Sequence, residues 1–208
     1  KGKAQGISCM NNAKQLAVTF QFYAQDNADL FPPNPDDGNT TAGHNWCAGQ
    51  AGVGGTAEFN DDLLKDSNQT LVAPYLSKNI GVFHCSADTR VGLYTGSDTS
   101  KRGSQVRAAR SVSMSQAVGS VCQAFAGGSG HSGQPKVPTN GPWLTGNSGA
   151  NNNKTGPFAT FGKASGFRRT SPSQVYLMAD EGVYSLNDAA MATVADVTNP
   201  KFIDYPTT

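Results

Sequence analysis

Apolar residues Ile7, Met10, Leu16, Phe20, Tyr23 and Ala24 recur at three- and four-residue steps, with Ala13 bridging the one longer gap. That spacing predicts an amphipathic helix from Ile7 to Ala28 with one apolar stripe on the core. Asn12, Lys14, Gln15, Gln21 and Gln25 fill much of the remaining surface. Phe31-Pro32-Pro33 is expected to stop the helix, because proline lacks the amide donor and restricts its predecessor. No capping residue stands before Ile7, which predicts a helix continued from further upstream.

Downstream, the periodicity breaks into short pieces. Residues 34–60 read as loop. Asp61-Asp62-Leu63-Leu64 suits the first turn of a short helix, where acidic side chains are favourable. Thr70 to Leu76 predicts another helical turn or two, Val82 to Cys85 a short extended piece, and 86–106 loop again. Ser111-Val112-Ser113-Met114-Ser115 alternates, so a half-buried strand is expected, with Val118 to Phe125 continuing it or forming a second. The Gly-, Asn- and Pro-rich stretch 127–157 is a long loop insertion into a single domain spanning 1–208. The apolar run Ser173 to Asp180 predicts a central strand. One helix followed by short strands in loops gives an α+β fold, the helix laid on a small antiparallel sheet.

Composition removes several classes of function. Only 15% of residues are charged and the net charge is +1, which excludes a binder that relies on phosphate neutralisation. The densest basic stretch, Lys101, Arg102, Arg107 and Arg110, reads as a solvated loop. No stretch approaches the ~18 apolar residues that span a bilayer. Glycine-framed serine elbows, zinc-protease helices and phosphate loops are absent as motifs, so no catalytic residue is assigned.

Four cysteines, Cys9, Cys47, Cys85 and Cys122, in a polar, weakly charged chain suit an oxidising compartment. Three pairings are possible, and spacing does not choose among them. His44-x-x-Cys47 with His84-Cys85 has the residue types of a zinc set. Adjacent His84 and Cys85 would face opposite ways if extended, which disfavours it. His131 lies in the insertion. Asp180, Glu181, Ser185, Asn187 and Asp188 fall within nine residues after a strand. Such oxygen donors on a tight loop suit calcium. Equally, they suit an acidic turn bonded to its own backbone.

Several blocks carry a resemblance. They are Cys9-Met10-Asn11-Asn12-Ala13-Lys14-Gln15-Leu16 with Tyr23-Ala24-Gln25-Asp26-Asn27 and Phe31-Pro32; Leu71 to Leu76; Val82-Phe83-His84-Cys85-Ser86-Ala87-Asp88; and Pro172-Ser173 through Asp180-Glu181 to Asn187-Asp188. In this order they resemble pseudopilin-like proteins of the type II secretion and type IV pilin superfamily, the G-like group with a prepilin-type methylation segment. Ser86 stands where that group usually has proline. Its membrane helix and its C-terminal His-Gly-Asn and Asp-Gly-His box are not in this sequence, and the 127–157 insertion is not part of its pattern.

The resemblance implies a type IV pilin-like fold in which residues 1–30 are the second half of a long helix. It implies a periplasmic, inner-membrane-anchored structural subunit with no enzymatic activity. Such a subunit stacks helix to helix with other pseudopilins and meets the inner-membrane secretion machinery in protein transport across the outer membrane. It implies that Cys9 and Cys85, in two matched blocks, bridge the helix to the extended segment, leaving Cys47 and Cys122 as a second pair. It also adds calcium in a C-terminal loop as an idea, without matching ligands. The alternative is a secreted glycan- or protein-binding module that uses the insertion and the loop aromatics Trp46, Tyr94, Trp143 and Phe158.

Overall fold

The N-terminal helix α1 covers Gly2–Asp26. It stops before the prolines are reached. Ala28 and Asp29 both adopt left-handed backbone (φ 53° and 68°), and the amides of Asn27 and Asp29 both donate to Ala24 O. Asn27 Nδ2 also donates to Tyr23 O at 2.8 Å, so the last carbonyls are capped locally. This is a computed structural model describing residues 2–34, 42–122, 136–138, 160–167, 170–194, 201–202 and 204–207.

The buried face of α1 is Leu16, Thr19, Phe20, Tyr23 and Ala24. Ile7 and Met10, expected on that stripe, are 56% and 66% exposed. The reason is geometric. At about 100° per residue, a three-residue step falls about 60° short of a full turn. Three such steps, from Ile7 through Met10 and Ala13 to Leu16, carry the stripe to the opposite side of the helix.

Loops supply much of the surface beneath α1. Short 3-10 helices form at Asp61–Leu64, Ala73–Leu76 and Ile80–Phe83, and α1 packs on the last two. The Ile80–Phe83 turn replaces the extended start expected at Val82, and His84 after it is extended. Asn79 Oδ1 accepts the Gly81 amide and so favours the turn. Phe20 meets Trp46 edge-on at 5.3 Å between ring centres, Trp46 lies 6.0 Å from Phe83, and Tyr23 meets Tyr75 at 5.8 Å.

The stretch 86–106 is not all loop. Val91–Leu93 (β1) pairs antiparallel with Gln105–Arg107 (β2). Val112–Ser115 (β3) is the centre of a three-stranded sheet. It runs antiparallel to Met178–Asp180 (β6) and parallel to Ala190–Met191 (β7). Ser120–Cys122 (β4) pairs with Lys136–Pro138 (β5), and Thr193–Val194 (β8) with Lys201–Phe202 (β9).

Two strand expectations are corrected. The 173–180 run is an edge strand of three residues preceded by a 3-10 turn at Pro172–Gln174, and β3 is the central strand. β3 is also buried along its whole length, not on one face. Its polar groups are satisfied inside. Arg110 donates to Val112 O and Ser113 Oγ, and Asn34 Nδ2 donates to the carbonyls of Met114 and Ser115. Serines so bonded lose little by burial. The chain is α+β, with the helix seated on a loop-borne aromatic layer and the small sheet beyond it.

Candidate functional site

The first half of α1 is fastened to the chain near residue 85. Cys9 and Cys85 form a disulfide with Cα atoms 5.0 Å apart. Asn12 Nδ2 donates to Gly81 O and His84 O, and Gln5 Nε2 to Ser86 O. The expected second bridge is not formed. Cys47 is a buried free thiol, pushed up to about 12 by burial, with Arg110 opposing. It sits between Trp46 and Ala48 in the core, where a thiol packs as a small apolar group. The Cys122 side chain, His131, Trp143 and Phe158 lie outside the described residues, as does the 127–157 insertion apart from β5.

The proposed zinc set does not assemble. The one group of three candidate ligands found together among the described residues is Cys9, Cys85 and Asp180. The disulfide occupies both of its sulfurs. His44 is fully buried in the core. His84 Nε2 lies 3.5 Å from Asp88 Oδ2. Burial lowers the His84 pKa, while Asp88 raises it and Arg107 and Arg90 lower it further. The imidazole is therefore neutral near pH 7.

The five acidic-turn residues point to different partners. Asp180 Oδ1 accepts from Ser111 Oγ at 3.0 Å, Asn187 Oδ1 from the Asp188 amide at 3.1 Å, and Asp188 Oδ1 from the Ala190 amide at 2.6 Å. Ser185 Oγ donates to Gly182 O and accepts from the Tyr205 amide. Glu181 is the exception. It is fully buried, and neither carboxylate oxygen has a hydrogen-bond partner among the described residues. Its pKa is pushed up to about 7, chiefly by burial, with Asp204 adding to the rise. The hydroxyls of Ser113 and Ser185 and the Arg110 charge oppose this. Ser113 Oγ is already engaged as acceptor for Arg110. Alternation along an extended chain sends Asp180 and Glu181 to opposite faces, so the five oxygens are not gathered into one cage.

Arg110 was expected in solvent and is fully buried. Its guanidinium donates to Val112 O, Ser113 Oγ, Gly49 O and Asp188 O at 2.6–3.0 Å. A planar five-donor fork suits a junction of carbonyls from separate loops. Its adjacency to the Ser111–Ser115 run was the available sequence signal.

The remaining feature is the outer face of α1. Ile7, Met10, Val18 (45%) and Phe22 (50%) are exposed on the side opposite Leu16, Phe20 and Tyr23. Val18 and Phe22 open on a groove of about 350 Å³ whose far wall is Tyr75 and Leu76. Val18 and Phe22 went unassigned in the sequence, although their four-residue spacing on the Ile7 side was a readable signal. No described helix is long and apolar enough to cross a membrane. No protein-family model, curated protein or solved structure matches the chain.

Proposed function

We propose that this chain is a non-catalytic structural subunit of an extracytoplasmic, pilin-like filament of the kind used in protein secretion, assembled helix against helix. The carrying observation is the second apolar stripe on α1, Ile7, Met10, Val18 and Phe22, which faces away from the chain's own core. A helix in a globular domain keeps one apolar stripe and a polar back. A stripe on the back has a physical use when a second copy covers it. The groove between Phe22 and the Tyr75–Leu76 turn gives that neighbour's side chains a seat. In 25 residues α1 extends about 38 Å, long enough for staggered contacts along a filament.

Two further observations support the reading. The Cys9–Cys85 disulfide fits an oxidising compartment outside the cytoplasm. It also fastens the exposed half of α1 to the body, so the outer stripe is held in register.

The test is photo-crosslinking in the native gene product. A photoreactive phenylalanine analogue in place of Phe22 should join two copies through their helices, and the same analogue in place of Leu93 on β1 should not. Absence of a Phe22 self-crosslink, or equal yields at both positions, overturns the proposal.

A further inference from the structure

Asp180 lies against the Cys9–Cys85 disulfide. One of its carboxylate oxygens and the two sulfurs are all within 4.8 Å of one another. The three side chains come from α1, from the chain just after the Ile80–Phe83 turn, and from β6. Each is placed by bonds other than the disulfide.

Asp180 is fixed by the sheet. It stands opposite Val112 in the β3–β6 register, and its carbonyl accepts the Thr207 amide at 3.0 Å. Cys85 is fixed through Ser111. That hydroxyl accepts the Cys85 amide at 2.8 Å and donates to Asp180 Oδ1 at 3.0 Å, so one side chain spaces the cysteine from the carboxylate. Cys9 is held through its neighbours on α1. Asn12 Nδ2 reaches Gly81 O and His84 O, Gln5 Nε2 reaches Ser86 O, and Ser86 Oγ donates to Gln5 O. Breaking the S–S bond therefore removes one fastening among several and leaves both sulfurs beside the carboxylate.

Two thiolates and a carboxylate are a donor set for a borderline-soft divalent ion. Zinc takes sulfur at about 2.3 Å and carboxylate oxygen at about 2.0–2.2 Å, in a tetrahedron. Ligand atoms on such a tetrahedron are about 3.6–3.8 Å apart, a spacing these three reach with small side-chain rotations. Calcium and magnesium prefer all-oxygen shells. The Ser111 hydroxyl supplies the outer hydrogen bond that orients a ligating carboxylate. Cys9 is half-buried, and a cleft of about 420 Å³ lined by Ser8, Asn12, His84 and Ser86 opens beside both cysteines. Water has access there to fill the fourth position.

We propose that the reduced chain binds one zinc ion through Cys9 Sγ, Cys85 Sγ and the Asp180 carboxylate, so that a disulfide and a metal are alternative fastenings of α1 at one place. Reduction breaks the S–S bond: a dithiol gives it two electrons and two protons and closes to a disulfide itself. Zinc then displaces both thiol protons to solvent and forms two Zn–S bonds. Exchange in the other direction, with an oxidised dithiol taking the two electrons and two protons from solvent, restores the S–S bond and frees the ion. None of the outer-stripe residues of α1 takes part, so the site stands apart from the filament reading.

The experiment reduces the whole chain with a phosphine, itself converted to the phosphine oxide, and titrates it with cobalt(II) and then zinc. One equivalent of cobalt should give a sulfur-to-metal charge-transfer band and the visible bands of a tetrahedral ion, and zinc should abolish both. Zinc should also raise the melting temperature of the reduced chain, as a ligand bound only by the fold does. The oxidised chain should show neither effect. Loss of an outer partner commonly costs about 10–100-fold in metal affinity, so Asp180→Asn, which removes a ligand, should weaken zinc at least about tenfold. The Cys9→Ser/Cys85→Ser chain, which keeps Cys47 and Cys122, should lose the charge-transfer band. Absence of tetrahedral cobalt bands in the reduced chain overturns the proposal. A band retained in the double-serine chain would put the ion on the other thiols and overturn it, as would equal zinc affinity in Asp180→Asn or equal binding by the oxidised chain.

Discussion

Trp46 donates its indole N–H to the carbonyl of Ala189 at 3.0 Å, across 143 residues of chain. The same ring meets Phe20 of α1 edge-on. One side chain from a loop thus joins the helix to the residue that leads into β7, and both contacts are fully buried.

Trp46→Phe keeps an aromatic ring in that layer and removes only the donor and some volume. The Ala189 carbonyl keeps the Met114 amide at 2.9 Å, so the loss is that of one net hydrogen bond, about 1 kcal/mol. Urea unfolding should show a lower midpoint with an unchanged slope. An unchanged midpoint would mean the bond contributes nothing and the ring acts by packing alone.

Cys9 and Cys85 are separated by 76 residues. In the chain-entropy account a bridge over that loop stabilises by about 4 kcal/mol. Replacing both cysteines with serine should lower the melting temperature by roughly 10 °C for a domain this size. Cys47, buried with its thiol pushed up to about 12, should resist alkylation in the native chain and react once the unreduced chain is unfolded. Peptide mapping that finds Cys47 unlabelled after unfolding would place it in a second disulfide.

The helix and the α+β class were legible because they rest on local periodicity. The helix's facing was not. Its apolar residues lie on two opposed stripes, and stepping by threes from Ile7 to Leu16 crosses from one to the other. β3 read as half-buried because Ser111, Ser113 and Ser115 look solvent-facing. Two of their partners, Asn34 and Asp180, come from distant chain, and no spacing in the strand announces them; Arg110 is a near neighbour in sequence. Arg110 shows the same limit: a fully buried guanidinium looks like a loop cation until four carbonyl and hydroxyl acceptors converge on it. The acidic turn was visible as a cluster of oxygens. Whether they face a cation or their own backbone depends on torsions that sequence does not carry.

Those torsions bear on calcium. Asp180, Asn187 and Asp188 each already accept a hydrogen bond from the chain, and Ser185 both donates and accepts. An ion would need six to eight oxygens at about 2.4 Å, and Asp180, Glu181 and Asp188 do not come together as one ligand group among the described residues. The melting temperature should therefore be the same in excess calcium and in excess chelator. A chelator-dependent drop of several degrees would show that the turn refolds around an ion bound by the native state.

Glu181 sets a pH dependence of unusual sign. Its carboxyl titrates near 4.5 when ordinary and is pushed up to about 7 in the fold, chiefly by burial. Between those values the folded chain holds a proton that the unfolded chain has released. Raising the pH through that window therefore weakens the fold. Below it both states are protonated and this stability is kept; above it the native chain carries a buried charge. The full difference is roughly 3 kcal/mol. Glu181→Gln keeps the shape and removes the titration. The variant should match the wild type near the acid end of the window and exceed it in stability at and above neutral pH. Subtracting the two curves cancels other groups, including Asp61 and Asp88, whose pKa values are lowered in the fold and whose stabilisation grows with pH. A difference curve that is flat from acid to neutral pH would mean that Glu181 folds as an ordinary carboxylate, its charge met by Arg110 and the neighbouring hydroxyls.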